Sequence, residues 1–283
     1  MPHRPATPVT APRPVLWIGP VVGTELTLAA DWLTTLVPLV MADGIAALDR
    51  VATRPWLVVL ACHRPALWSI GELNRVATAL PLVPLVAVTT SLAEGSRRNG
   101  DGLPGVEEIP WLELPGRMWG WCQEPRPVSI ALPATSRRDE RWLAQVAATP
   151  VGARRPVTVA AGPAAREPLC DLIAAAGWIP QPLSSSRPAP GCRGPVVWDA
   201  GGLGADGREW LRLLTADGRR DVLVMESFPR GDAVGATLAA GAAAVLPRVV
   251  GAEVLAGTLG WMMARGGARP PSVSALGGSE GGR

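Results

Sequence analysis

Three charged side chains stand at the ends of predicted apolar strands in the second half of the chain: Asp199, Glu226 and Arg248. In a doubly wound parallel sheet, the carboxyl ends of the strands form the edge where ligands bind. An arginine fork at that edge pairs with phosphate or carboxylate oxygens. Because buried charges are normally paired, a salt bridge from Arg248 to Glu226 or Asp199 is the arrangement that we expect.

The elements that position these side chains alternate between apolar strands and helices. The predicted strands are Val157–Ala161, Ile179–Leu183, Val196–Trp198, Val222–Met225 and Ala244–Leu246. The predicted helices are Ala164–Ala176, Gly207–Leu214, Ala233–Ala240 and Glu253–Arg265. Continuous apolar strands that alternate with helices are typical of a parallel sheet covered on both faces.

The first half of the chain follows a similar pattern. Its predicted strands are Val15–Ile18, Trp56–Leu60 and Leu85–Val88, with a short extended piece at Ile109–Leu112. Its predicted helices are Thr24–Leu36, Gly44–Ala52 and Ile70–Leu80, and a last helix starts near Arg117. A repeat of about 140 residues is too long for a solenoid and predicts two similar domains.

The segment DVLVMESFPR at 221–230, which leads into AAGAAAVLPR at 239–248, resembles the last third of a bacterial response-regulator receiver domain, the CheY-like fold. The resemblance implies an α/β protein with two flavodoxin-like, doubly wound parallel sheets in tandem. The expected division of the chain is a disordered N-terminus at 1–13, a receiver-like domain at 14–123 that lacks the fourth helix, a connector at 124–155, a second receiver-like domain at 156–265 and a disordered tail at 266–283.

Receivers place an acidic pair after the first strand, a phosphoacceptor Asp after the third, a hydroxyl after the fourth and a Lys after the fifth. The resemblance puts this chain's residues at those positions as follows: Ala160 and Ala161, then Asp199, then Glu226 with Ser227 beside it, then Arg248. Alanine cannot ligate Mg²⁺, and a phosphoryl group beside Glu226 would be repelled. The sequence therefore predicts no metal, no cofactor, no catalytic residue and no ordinary Mg²⁺-dependent phosphorylation.

The same positions are further altered in the first half. Gly19 and Pro20 follow the first strand, Ala61 takes the acceptor position, and Thr89 lies near the hydroxyl position. Phosphorylation is therefore not expected there.

A Gly/Arg-rich loop replaces the expected fourth helix at residues 91–106. Its candidate binding residues are Glu94, Arg97, Arg98 and Asp101, with Trp111 beyond them. Arginine forks on a loop suit an anion or a partner protein. The alternative is a surface loop paired within itself and anchored by Trp111.

Composition excludes several classes of function. The net charge is +3 and the basic residues are dispersed, so no basic stripe for nucleic acid is present. The four cysteines show no C-x-x-C spacing, which indicates free thiols. No apolar run reaches the length of a membrane span. We therefore expect a cytoplasmic bacterial protein that binds neither nucleic acid nor membrane.

These observations predict a non-catalytic module of two-component signalling built from pseudo-receiver domains. Its expected partner is a kinase, an output protein or a second copy of the chain, with a possible homodimer through residues 232–265. Two alternatives stay open. The chain could be an atypical response regulator still phosphorylated at Asp199, or a small anion or ligand binder that uses the Glu94–Asp101 loop.

Overall fold

The computed structural model of the protein describes residues 13–50, 54–97, 103, 105–122, 154–192, 194–217 and 221–265. The expected disordered ends lie outside the described residues, except for residue 13. The same holds for nearly all of the expected connector.

The first sheet has five strands, all parallel, in the order β2-β1-β3-β4-β5. The strands are β1 (Val15–Ile18), β2 (Leu39–Ala42), β3 (Leu57–Cys62), β4 (Leu85–Thr89) and β5 (Glu107–Pro110). The helices are α1 (Gly23–Leu36), α2 (Ile70–Ala79), α3 (Ser91–Arg97) and α4 (Leu114–Cys122), with a 3₁₀ helix at Ile45–Arg50. Strands β1, β3 and β4 are buried along their whole length, as expected for strands covered on both faces.

The second sheet is also parallel throughout and has the order β7-β6-β8-β9-β10. Its strands are β6 (Pro156–Ala160), β7 (Ile179–Pro182), β8 (Val196–Gly201), β9 (Val222–Glu226) and β10 (Ala244–Pro247). Its helices are α5 (Pro163–Ala175), α6 (Ala205–Leu214), α7 (Gly231–Ala239) and α8 (Ala252–Ala264). Counted from its own first strand, each sheet has the order 2-1-3-4-5. The predicted fold class, two doubly wound parallel sheets in tandem, is confirmed.

The structure corrects two expectations in the first half. A seven-residue helix, α3, follows β4, so the prediction that this domain lacks its fourth helix is wrong. The helix expected from Gly44 onwards is a 3₁₀ helix, and strand β2, which precedes it, was not predicted.

The two domains pack through their last helices, α4 and α8, whose backbones touch at paired glycines. A Cβ atom on Gly257 would collide with the carbonyl oxygen of Gly116, so neither position tolerates a side chain without a backbone shift. At the edge of this contact, Arg117 Nη1 donates to Glu253 Oε2 at 2.7 Å. Beside it, the Trp32 ring stacks on Trp111 and meets Trp261 edge-on. The faces of the two sheets therefore share one apolar core.

In the part of the chain that the structure describes, no helix combines the length and apolarity needed to cross a membrane.

Candidate functional site

Asp199, the residue at the predicted phosphoacceptor position, is held by Arg248. Its Oδ1 atom accepts from Arg248 Nη2 at 2.7 Å and from Arg248 Nε at 3.0 Å. The backbone N–H of Gly201 donates to the same oxygen at 3.3 Å. The carboxylate is buried, whereas the arginine is half exposed and reaches across the end of β9 to cover it. The predicted salt bridge of Arg248 is confirmed, with Asp199 as the partner.

Local backbone geometry makes room for this pair. The pairing of β8 with β9 shifts register between Asp199 and Gly201, which is a β-bulge. Gly201 has a φ of +69°, a conformation that favours glycine, and a Cβ atom there would lie 3.1 Å from Arg248 Nη2. Glycine at 201 therefore permits both the bulge and the close approach of the guanidinium.

The positions of the acidic pair contain only apolar side chains. Ala160 and Ala161 are fully buried. Arg166, from the first turn of α5, donates through Nη2 to the Ala161 carbonyl at 3.1 Å and to the Ser184 carbonyl at 2.9 Å. Across the described ranges, no three His, Cys, Asp or Glu side chains gather in a group that could hold a metal ion.

Glu226, at the predicted hydroxyl position, is buried. Its Oε1 atom accepts from Thr237 Oγ1, on α7, at 3.1 Å. Burial raises the pKa of Glu226, while the Thr237 hydrogen bond and the charge of Arg208 oppose that rise. The contact of Arg248 with Glu226 is made by the backbone, from N–H to carbonyl oxygen at 2.7 Å. Ser227 binds the Gly201 carbonyl through its own N–H at 2.8 Å.

The equivalent edge of the first sheet is filled by an indole. Trp68, in the loop between β3 and α2, is buried and donates from Nε1 to the Ala61 carbonyl at 3.0 Å. Gly19, at the end of β1, has a φ of +107°, and a Cβ atom there would lie 3.0 Å from Trp68 Cζ2. The ring therefore covers the ends of both strands. Trp68 was not predicted, although Gly19 and Ala61 in place of carboxylates signalled an apolar neighbour.

Two threonine hydroxyls near this edge are satisfied internally. Thr89 Oγ1 donates to the Ile109 carbonyl at 3.3 Å, and Thr90 Oγ1 donates to the His63 carbonyl at 3.1 Å. Burial raises the pKa of Cys62 to about 12, with a further rise from Glu108. The thiol at the end of β3 is therefore neutral at physiological pH and is not an activated nucleophile.

The candidate binding loop is only partly described. Glu94 lies exposed on α3, whereas Arg98, Asp101 and the side chain of Arg97 lie outside the described residues. Trp111 is buried and stacks on Trp32 at the contact between the domains. That position fits an anchoring role for Trp111. Ligand binding by the loop stays a prediction.

The segment considered for a homodimer, residues 232–265, makes most of the contact between the two domains. Helix α8 is buried against α4, and Gly231, just before the segment, touches the Glu25 side chain of α1. Dimerisation through residues 232–265 stays a prediction.

Similarity of this chain to known proteins is found among solved structures. No protein-family model matches it, and no curated protein matches it. Among solved structures, the chain is similar to a two-component system response regulator/GGDEF domain protein at 13% identity, with a TM-score of 0.34 over 89% of this chain and 98% of that one.

A second solved structure, a tagatose-6-phosphate ketose/aldose isomerase from Escherichia coli, has 13% identity and a TM-score of 0.22 over 93% of this chain and 85% of that one. Both TM-scores are too low to support an argument about function. The order of the strands and their parallel direction identify two tandem doubly wound domains.

Proposed function

We propose that this chain is a non-catalytic signalling and protein-interaction module built from two pseudo-receiver domains. The observation that carries the proposal is the pair of hydrogen bonds from Arg248 to Asp199 Oδ1. The carboxylate at the acceptor position is already neutralised by a cation that belongs to the chain. The domain therefore holds one state without a phosphoryl group.

The surroundings of Asp199 support a fixed state. A phosphoryl group on Asp199 would have to displace Arg248 and would lack a metal ion, because Ala160 and Ala161 supply no ligands. The buried Glu226 lies at the end of the neighbouring strand and would add repulsion whenever it is ionised. Ordinary phosphotransfer is thus opposed by both charge and geometry.

The first domain supports the same conclusion by different means. Trp68 covers Gly19 and Ala61 at the ends of β1 and β3, and no carboxylate follows either strand directly. We propose that this domain acts as a resident partner of the second, through the contact between α4 and α8. A kinase, an output protein or a second copy would then bind a surface that this contact leaves free.

The test is incubation of the full chain with acetyl phosphate and Mg²⁺, followed by intact-mass spectrometry. An ordinary receiver is run in parallel as a positive control for the reagent. We expect the chain to gain no phosphoryl mass. A phosphoryl adduct on the native chain that is absent from Asp199→Ala would overturn the proposal in favour of an atypical, phosphorylated regulator.

A further inference from the structure

One side chain, that of Glu25, contacts the starts of two helices that belong to different domains. Its Oε2 atom accepts from the Ser91 N–H at 2.8 Å, and its Oε1 atom accepts from the Ser91 hydroxyl at 2.7 Å. Ser91 is the first residue of α3, in the first domain. Gly231 is the first residue of α7, in the second domain, and a Cβ atom there would lie 2.8 Å from Glu25 Cγ. Glu25, in the first turn of α1, therefore joins α3 to α7.

Helix α3 depends on contacts at its start, because it has only seven residues and a helix of that length is marginal on its own. The N–H groups of a first turn have no acceptor within their own helix. The Thr90 carbonyl accepts from the Glu94 N–H at 2.9 Å, which closes the first turn, and Glu25 supplies the acceptor for the Ser91 N–H. Withdrawal of the Glu25 carboxylate should therefore open the first turn of α3 more often without unfolding the domain.

Helix α7 meets α1 through two glycines that lie one turn apart, and the two differ in how closely they approach. A Cβ atom on Gly235 would lie 3.9 Å from Thr24 Cγ2, which is an ordinary van der Waals distance. A Cβ atom on Gly231 would overlap Glu25 Cγ. Because Cγ belongs to a flexible side chain, the response that costs least is a rotation of Glu25, which moves its carboxylate away from Ser91.

We propose that Glu25 is a coupling residue, which transmits a change in the position of α7 to α3 and a change in α3 to α7. The element with two states is the first turn of α3, which is either capped by Glu25 or open. A partner that holds this turn open would alter the fit of Glu25 on Gly231, because a coupling between two sites is reciprocal. This inference rests on the proposed function, since it names how the first domain, as a resident partner, senses the second.

The experiment compares Gly231→Ala with its matched control, Gly235→Ala, in the full chain by amide NMR. Both variants exchange a glycine of α7 for a good helix former, and only the first places a methyl group against Glu25. We expect the Ser91 and Glu94 amides to exchange with solvent at least about threefold faster in Gly231→Ala, and at the native rate in Gly235→Ala. The thermal unfolding midpoint of each variant shows whether the chain stays folded.

Two further variants test whether the effect passes through Glu25. Glu25→Ala removes the carboxylate and should speed the exchange of the Ser91 and Glu94 amides at least as much as Gly231→Ala does. Addition of Gly231→Ala to Glu25→Ala should have no further effect, because no carboxylate is left to displace. In the reverse direction, Ser91→Ala should shift the amide resonance of Gly231.

The proposal is overturned if Gly231→Ala leaves the exchange of α3 unchanged, if Gly235→Ala speeds it equally, or if the double variant exchanges faster than Glu25→Ala alone. If Gly231→Ala does not fold, an unshifted Gly231 resonance in Ser91→Ala overturns it. The acetyl phosphate test on the same preparation separates the two claims. An unphosphorylated chain without this coupling removes only the role of Glu25, whereas a phosphorylated Asp199 removes the proposed function.

Discussion

The first and second sheets share one strand order, but their carboxyl edges are closed by different chemistry. In the first sheet an indole, Trp68, lies over Gly19 and Ala61. In the second sheet a guanidinium, Arg248, neutralises a buried aspartate. We call the packing of Trp68 the apolar closure and the pair of Arg248 with Asp199 the ionic closure. The apolar closure buries no charge, whereas the ionic closure buries a carboxylate together with its counter-ion. The comparison shows that one topology can fill the carboxyl edge of its sheet in two ways, with an apolar ring or with an ion pair.

The largest expected effect comes from opening the apolar closure. Trp68→Ala removes a buried indole and its hydrogen bond to Ala61, so we expect the free energy of unfolding to fall by about 3–5 kcal/mol. Urea denaturation followed by circular dichroism measures the change. Trp68→Phe keeps most of the apolar contact and should cost about 1–2 kcal/mol. If Trp68→Ala lowers the free energy of unfolding by less than Trp68→Phe does, the indole does not stabilise this edge of the sheet.

Opening the ionic closure should have a smaller effect. Arg248→Ala leaves Asp199 buried without its cation, and we expect a loss of about 1–3 kcal/mol at pH 7 because the arginine is half exposed. The double-mutant cycle with Asp199→Ala should recover part of that loss. The control is Arg212→Ala, which breaks an exposed pair with Glu209 and should cost less than about 0.5 kcal/mol. A coupling energy near zero between Arg248 and Asp199 would contradict the ionic closure.

Glu226 makes the stability of the second domain depend on pH. Burial raises its pKa in the folded state above the unfolded value of 4.5, so the folded state binds more protons and stability falls as pH rises above 4.5. Glu226→Gln removes this cost and still accepts from Thr237. We expect the variant to have a higher unfolding midpoint than the native chain at pH 8, with the difference shrinking towards pH 4.5. A difference in unfolding midpoint that stays constant from pH 4.5 to pH 8 would show that Glu226 is not the source of the pH dependence.

The smallest expected effect concerns the thiol of Cys62, which lies at the end of β3 beside Trp68. Because the pKa of Cys62 is raised to about 12 and its side chain is buried, iodoacetamide at pH 8 should modify it more slowly than the half-buried Cys192. Trp68→Phe should leave this order unchanged. Peptide mapping by mass spectrometry gives the two rates. Equal rates in the native chain would show that the first edge is open to solvent.

Much of the fold could be predicted because fully buried strands are continuous apolar runs. Strands β3, β4 and β9 are of this kind, and their burial needs no knowledge of the neighbours. Strand β2 was missed because it follows α1 after only Val37 and Pro38 and looks like a continuation of the helix's apolar residues. Helix α3 was missed because Gly95 within it and the glycines that follow it in the sequence favour a loop.

The candidate site was predicted in part for a similar reason. The strand ends place Asp199, Glu226 and Arg248 at one edge, and the rule that buried charges are paired gives the salt bridge. The choice of Asp199 over Glu226 depends on Thr237, which reaches Glu226 from α7. The packing of Trp68 on Gly19 joins residues far apart in the chain. Such contacts between elements leave no periodic signal in the sequence.

The most direct test of the closed edges is a titration of the full chain with beryllium fluoride and Mg²⁺, followed by amide NMR of the native protein and of Asp199→Ala. Arg248 on Asp199 and alanines at the metal-ligand positions predict no shift around Asp199 or Ser227 at millimolar ligand. Shifts at those residues that vanish in Asp199→Ala would show that the second edge still binds a phosphoryl group, and would contradict the closure.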